Sequence, residues 1–141
     1  MRQRVHLITL GVDDLDRARD FYRALGWSPV AGTPEGLVVF DLYGASIALY
    51  PRADLARDIG RDLPRGSGAL TLACNVRDRA EVAEVIAAAR AAGAEVLREP
   101  HDAPWGGHIA YFADPDGHLW EVAHNPFSPL GAEDEFRWAG A

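Results

Sequence analysis

Lysine is missing from this 141-residue chain; every one of its 14 basic residues is arginine. Schiff-base chemistry on a lysine amine is therefore excluded. Cysteine is nearly missing too, and the single Cys74 can close no internal disulfide and build no thiolate metal cluster. A cytoplasmic setting is the expectation. Nowhere is there a run of about 18 apolar residues that could span a bilayer, and Met1-Arg2-Gln3-Arg4-Val5-His6 leads into a strand-like segment without an apolar leader. A soluble, unprocessed protein is expected. Positive charge is also scarce: the formal net charge of −7 argues against a nucleic-acid or anionic-membrane partner. Finally, there is no Gly-x-Ser-x-Gly elbow, phosphate-binding glycine loop or dinucleotide fingerprint.

What is present has a rhythm. Leu7-Ile8-Thr9-Leu10-Gly11-Val12 reads as a strand; Asp13-Asp14 come after it as helix caps, then Leu15, Ala18, Phe21, Tyr22 and Leu25 at helical spacing, with Gly26 as the stop. Strand-like segments at 27–31, 36–42 and 46–50 come next, with a turn near Tyr43-Gly44-Ala45. The order then repeats: a strand at 70–76, Asp78 as cap, an apolar stripe of Val82, Val85, Ile86 and Ala89 ending at Gly93, and strands at 94–98, 108–113 and 119–124. The chain thus divides into a first βαβββ unit over 1–50, a connector over 51–68 with one helical turn around Ala53 to Ile59, a second unit over 69–124, and a tail over 125–141. The fold class predicted is α+β within one compact domain. The tail carries Phe127, Phe136 and Trp138, aromatics available to dock.

The most informative stretch is Tyr111-Phe112-Ala113-Asp114-Pro115-Asp116-Gly117-His118-Leu119-Trp120-Glu121. Pro115 pre-sets φ for a turn, Asp114 and Asp116 can bond nearby amides, and Gly117 accepts positive φ. The hairpin delivers one carboxylate, Glu121, onto a sheet face.

Together with Thr9-Leu10-Gly11-Val12-Asp13-Asp14-Leu15 running into Phe21-Tyr22-Arg23-Ala24-Leu25-Gly26-Trp27, this segment resembles the vicinal oxygen chelate superfamily, which includes glyoxalase I, fosfomycin-resistance proteins, extradiol dioxygenases and bleomycin-binding proteins. The resemblance covers nearly the whole chain. It implies two tandem βαβββ modules forming a curled, cup-like mixed sheet with helices outside. In metal-using relatives the cup holds a divalent ion on one ligand from the first strand of each module and a Glu after the Asp-Pro-Asp-Gly turn. Glu121 matches the last position, whereas the other two fall on Leu7 and Thr71. Leu has no donor atom and a neutral Thr hydroxyl is a poor one.

Alternation along the strands points the same way. Ile8, Leu10 and Val12, like Leu70, Leu72, Cys74 and Val76, form apolar rows suited to burial under a helix, which leaves Leu7, Thr9, Thr71 and Asn75 for the cup. Cys74 then reads as an inert core residue. His6 stands one residue before Leu7; a slip that brought it into the cup would turn Ile8, Leu10 and Val12 off the helix side. His118 reads as a hydrogen-bonding turn residue, and His124 falls on the face opposite Glu121. Pro100 to His108 reads as a loop at the cup rim carrying His101, Trp105 and His108; Trp105 either stacks on a ligand or plugs the cup. Tyr111 shares the face of Glu121, able to bond a ligand or simply to satisfy that carboxylate.

Two principal functions compete. The first is a small-molecule binder with no cofactor, its cup formed by Leu7, Thr9, Thr71, Asn75, Trp105, His108, Tyr111 and Glu121. The second is a metal-dependent lyase, isomerase or dioxygenase of glyoxalase type, with Zn, Ni, Mn or Fe held by Glu121 and displaced His6 or His108; Glu121 is then the best catalytic candidate. A third is a module whose dimer interface is its main business. The expected partners are a small organic ligand and a second copy of the chain.

Overall fold

Asp14 opens the first helix: its carboxylate accepts the Arg17 backbone N–H at 2.9 Å, satisfying a donor the helix itself leaves orphaned. Asp78 does the same for a later helix, accepting from Ala80 and Glu81. In the computed structural model, which describes residues 1, 3–42, 44–66 and 68–139, the chain runs β1 (Leu7–Val12), α1 (Leu15–Ala24), β2 (Val38–Leu42), β3 (Ala45–Pro51), α2 (Arg52–Ile59), β4 (Thr71–Asn75), α3 (Arg79–Ala91), β5 (Glu95–Asp102), β6 (His108–Ala113) and β7 (Leu119–His124). Tyr43, in the turn expected at Tyr43-Gly44-Ala45, lies outside the described residues, as does Ser67 of the connector.

The α+β class stands. A three-stranded sheet has the order β1-β3-β2 and a four-stranded sheet the order β4-β7-β6-β5. In each, the opening strand lies parallel to its neighbour, β1 to β3 and β4 to β7, while the other pairs are antiparallel. Among the described residues, no helix is long and apolar enough to cross a membrane.

Three expectations need correction. Residues 27–31 form no strand; the bond from Val30 N–H to Val39 O at 2.8 Å marks the place beside β2, because Pro29 has no N–H to donate to a ladder and the chain turns at Gly32. The single turn at 53–59 is an eight-residue helix, ended by Gly60 in the left-handed region at φ 79°. And β5 continues to Asp102, so that His101 lies in a strand rather than a loop. Pro100 is tolerated because β5 is the sheet edge and its register with β6 shifts twice.

The helix-facing rows of both sheets enter one core. Leu10, Val12, Ile47 and Leu49 pack with Phe21 and Tyr22 of α1, while Ala110, Phe112, Trp120 and Val122 pack with Val82 and Ile86 of α3, in a single cluster. The Tyr22 ring lies 6.1 Å from that of Trp120. At this seam the Asp-Pro-Asp-Gly turn acts as a rivet. Asp114 Oδ2 accepts the Tyr22 hydroxyl at 2.7 Å and meets His118 Nδ1 at 2.8 Å, while its Oδ1 accepts the backbone N–H groups of Asp116 and His118. Asp116 Oδ1 reaches the first half of the chain, taking the Asp13 N–H at 2.9 Å and the Arg17 guanidinium at 2.8 Å. Since both helix-covered faces share this core, the two opposite faces lie on its outer sides.

Candidate functional site

Cross-strand register assembles the site. Tyr111 pairs with Glu121 and Ile109 with Ala123 across β6–β7, and Ala73 pairs with Glu121 and Asn75 with Ala123 across β4–β7. Paired residues share a face, so these side chains all stand on the side away from α3. Ala103, Ile109 and Ala123 form a small buried cluster there, with Trp105 and Tyr111 packed against it.

Trp105 is held by a tight loop. Ala103 N–H bonds Gly107 O and Gly106 N–H bonds Ala103 O, each at 2.9 Å, with Gly106 at φ 97°. The indole lies so close over Gly107 that a Cβ there would sit 1.8 Å from the ring. Only glycine admits this placement.

The tail supplies a further wall. Asn125 accepts the Phe127 and Ser128 N–H groups, and Ser128 Oγ accepts the Ala139 N–H at 2.8 Å. Arg77 donates to Gly131 O and Ala132 O at 2.9 and 3.2 Å and forms an ion pair with Asp134 at 2.5 Å. Phe136 and Trp138 thereby join Asn75, Trp105, Glu121 and Asn125 around a cavity of about 410 Å³, within the size range of small-molecule sites. Neither tail ring was placed in the site by sequence reasoning. The available signal was aromatics persisting in an otherwise polar, acidic segment.

Tyr111 stands directly opposite Glu121 across β6–β7, on the same face of the sheet. Burial first, and then the neighbouring Glu121 carboxylate, hold the Tyr111 phenol above its ordinary value, while Arg98 pulls the other way.

Other expected site residues go elsewhere. Leu7 stands 52% exposed on the first sheet. Thr9 lines a different cavity, of about 340 Å³, with Leu55, Ile59 and His118. Thr71 lies on the Glu121 face but at the exposed start of β4. His108 is a correction: strand alternation puts it with Ala110 and Phe112 on the helix side, opposite Tyr111. Its Nδ1 meets Asp102 Oδ1 at 2.9 Å, and Asp102 also pairs with Arg79. Arg79 and then His108 draw the Asp102 carboxyl down to about 2. His124 pairs with His108 on that same face, and His6 is exposed just before β1.

Cys74 is another correction. It lies on the helix-facing row, but β4 is an edge strand and the row opens into a cleft of about 730 Å³ lined also by Trp27, Leu42 and Glu81. The cleft walls, with Asp134 and Glu81, hold its thiol above the ordinary value, which disfavours a reactive thiolate.

Among the described residues, no group of three or more His, Cys, Asp or Glu is placed to hold a metal ion. Around Glu121 the chain offers amides, a phenol and aromatic rings, a donor set that does not fit Zn, Ni, Mn or Fe.

Fold and sequence together define the class: the chain belongs to the Glyoxalase/Bleomycin resistance protein/Dioxygenase superfamily, whose model matches residues 4–122. Among solved structures, a glyoxalase-related enzyme from Fulvimarina pelagi is 38% identical with a TM-score of 0.91, covering 99% of this chain and 100% of that one. Lactoylglutathione lyase from Agrobacterium tumefaciens is 26% identical with a TM-score of 0.68, covering 89% and 96%. A family enzyme from Burkholderia phytofirmans PsJN, 14% identical with a TM-score of 0.77 over 86% and 98%, shares the fold. No curated protein matches the sequence.

Proposed function

We propose that this protein is a metal-independent binder of a small organic molecule, working as a cytoplasmic homodimer, with Glu121 as the polar anchor of its cup. The observation that carries this reading is the composition of the Glu121 face: one carboxylate, a neighbouring phenol, two amides and aromatic walls, with no group of three or more His, Cys, Asp or Glu placed to hold a metal ion among the described residues. Residues 1–50 and 69–124 are the two half-cups, 51–68 the connector and 125–141 the tail.

The dimer rests on two further features. The open faces of the two sheets lie on opposite sides of one core, so exposed Leu7 would face Glu121 only across a pair of copies. Among the described residues, strands β1 and β4 are both sheet edges, and β1 of one copy beside β4 of the other would satisfy both edges twice under a two-fold axis. Exposed Val5, Leu7 and Leu70 lie at or beside those edges.

Sedimentation of the untagged protein at micromolar concentration should give a dimer, and Leu7→Arg should give a folded monomer. Metal analysis of the same sample decides the rest. Stoichiometric Zn, Ni, Mn or Fe would overturn the metal-independent reading in favour of the second one, a metal-dependent lyase, isomerase or dioxygenase. That second reading is favoured by the likeness to a lactoylglutathione lyase, and it needs Glu121 to be joined by His6, since His108 stands on the opposite face.

A further inference from the structure

The charge and ring content of the Glu121 cavity narrow the ligand class. Glu121 forms no ion pair among the described residues, and Tyr111 is its neighbour across β6–β7. Arg98, which pairs with Tyr111 across β5–β6, is exposed and makes no ion pair with Glu121. Three aromatic rings line the same space: Trp105, pinned over Gly107, and Phe136 and Trp138 of the tail. The two tail rings meet edge to face, 6.4 Å apart at 68°, and they remain 43% and 71% exposed.

A carboxylate among aromatic faces discriminates by charge. An anion is repelled, and a neutral ligand leaves Glu121 desolvated without a counter-charge. A cation gains both the carboxylate and the negative ring faces. The net charge of −7 adds a favourable field at longer range. We propose that the site takes a small organic cation, an ammonium bearing methyl or aryl groups, caged by Trp105, Phe136 and Trp138 with Glu121 as counter-ion. This rests on the reading of the Glu121 face as a small-molecule site and makes the tail part of that site. Arg77, through Gly131, Ala132 and Asp134, is the positioning residue that brings the tail rings there.

The test uses the full chain and three probes: choline, benzyltrimethylammonium, and 3,3-dimethylbutan-1-ol, the uncharged carbon counterpart of choline. Binding is read by calorimetry and by shifts of the Trp105 and Trp138 indole N–H resonances. The cations should bind at least about tenfold more tightly than the alcohol, moving both indole signals. Glu121→Gln should erase that preference, and Trp138→Ala should weaken the cations several-fold while leaving the fold intact by circular dichroism. Equal affinity of choline and the alcohol, with both indole signals moving, would overturn the cation claim and leave the small-molecule site standing. Failure of all three probes to move either indole would overturn both. An unchanged cation preference in Glu121→Gln would sink the counter-ion role.

Discussion

The two sheets begin alike and end differently. Each opens with a strand whose helix-facing row enters the core, leading into an aspartate-capped helix. On the first sheet, however, the outer face is partly filled: α2 folds back over β1, and Gly11 is what lets it approach, since a Cβ there would meet Leu55 at 3.3 Å and Arg52 at 3.4 Å. On the second sheet the equivalent outer row is Thr71, Ala73 and Asn75, and the chain beyond β7 is a tail held off to the side by Arg77. A repeated fold thus leaves one face covered and the other hollow, and the difference lies in the path the chain takes after each unit.

The strongest way to break the pairing of the two halves is at the seam. Asp114→Ala takes the acceptor from the Tyr22 hydroxyl, the partner from the His118 ring and the acceptor from two backbone N–H groups at once, and should cost roughly 3–5 kcal/mol in urea unfolding. The same carboxyl gives a pH signature. Burial raises it, but His118 and Tyr22 together hold it below its ordinary value. Its stabilisation is therefore complete above about pH 5 and is lost as the pH falls through the lowered folded-state value. Acid unfolding of Asp114→Asn should lack that component.

Next comes the covered face. Gly11→Val pushes α2 off β1 and should cost about 1–3 kcal/mol, with faster amide exchange confined to Arg52–Ile59. On the open face, Gly107→Ala must move the Trp105 indole; a shifted tryptophan emission and a loss of about 1–2 kcal/mol are expected. The smallest effect is a titration. In Glu121→Gln the Tyr111 phenol should titrate lower than in the parent, yet stay above its ordinary value because burial, the larger cause, remains. A phenol unmoved in that variant would show that the two side chains do not touch.

Much of this was legible in the residues. Alternation in Leu7–Val12 and Thr71–Asn75 reads out the two faces, and the Asp-Pro-Asp-Gly turn announces the hairpin that sets Glu121 beside Tyr111. The same alternation, traced from Tyr111 back to His108, already puts that histidine on the wrong side; treating His108 as part of the rim loop hid it. Pro29 and Pro100 misled in opposite directions. One removed an expected strand, while the other was accommodated in an edge strand by register shifts. Cys74 looked like core because its row is apolar, but a row says nothing of whether a helix covers its end.

The sequence by itself determined the strand and helix order, the caps, the central turn and the side of the sheet each residue takes, because those depend on dihedral preference and short-range periodicity. Tertiary structure alone decided that α2 covers one face, that the tail rings stand beside Glu121, and that the two outer faces lie on opposite sides of a shared core. Those outcomes rest on contacts between residues far apart in the chain, such as Gly11 with Leu55 and Arg77 with Asp134, which no local pattern encodes.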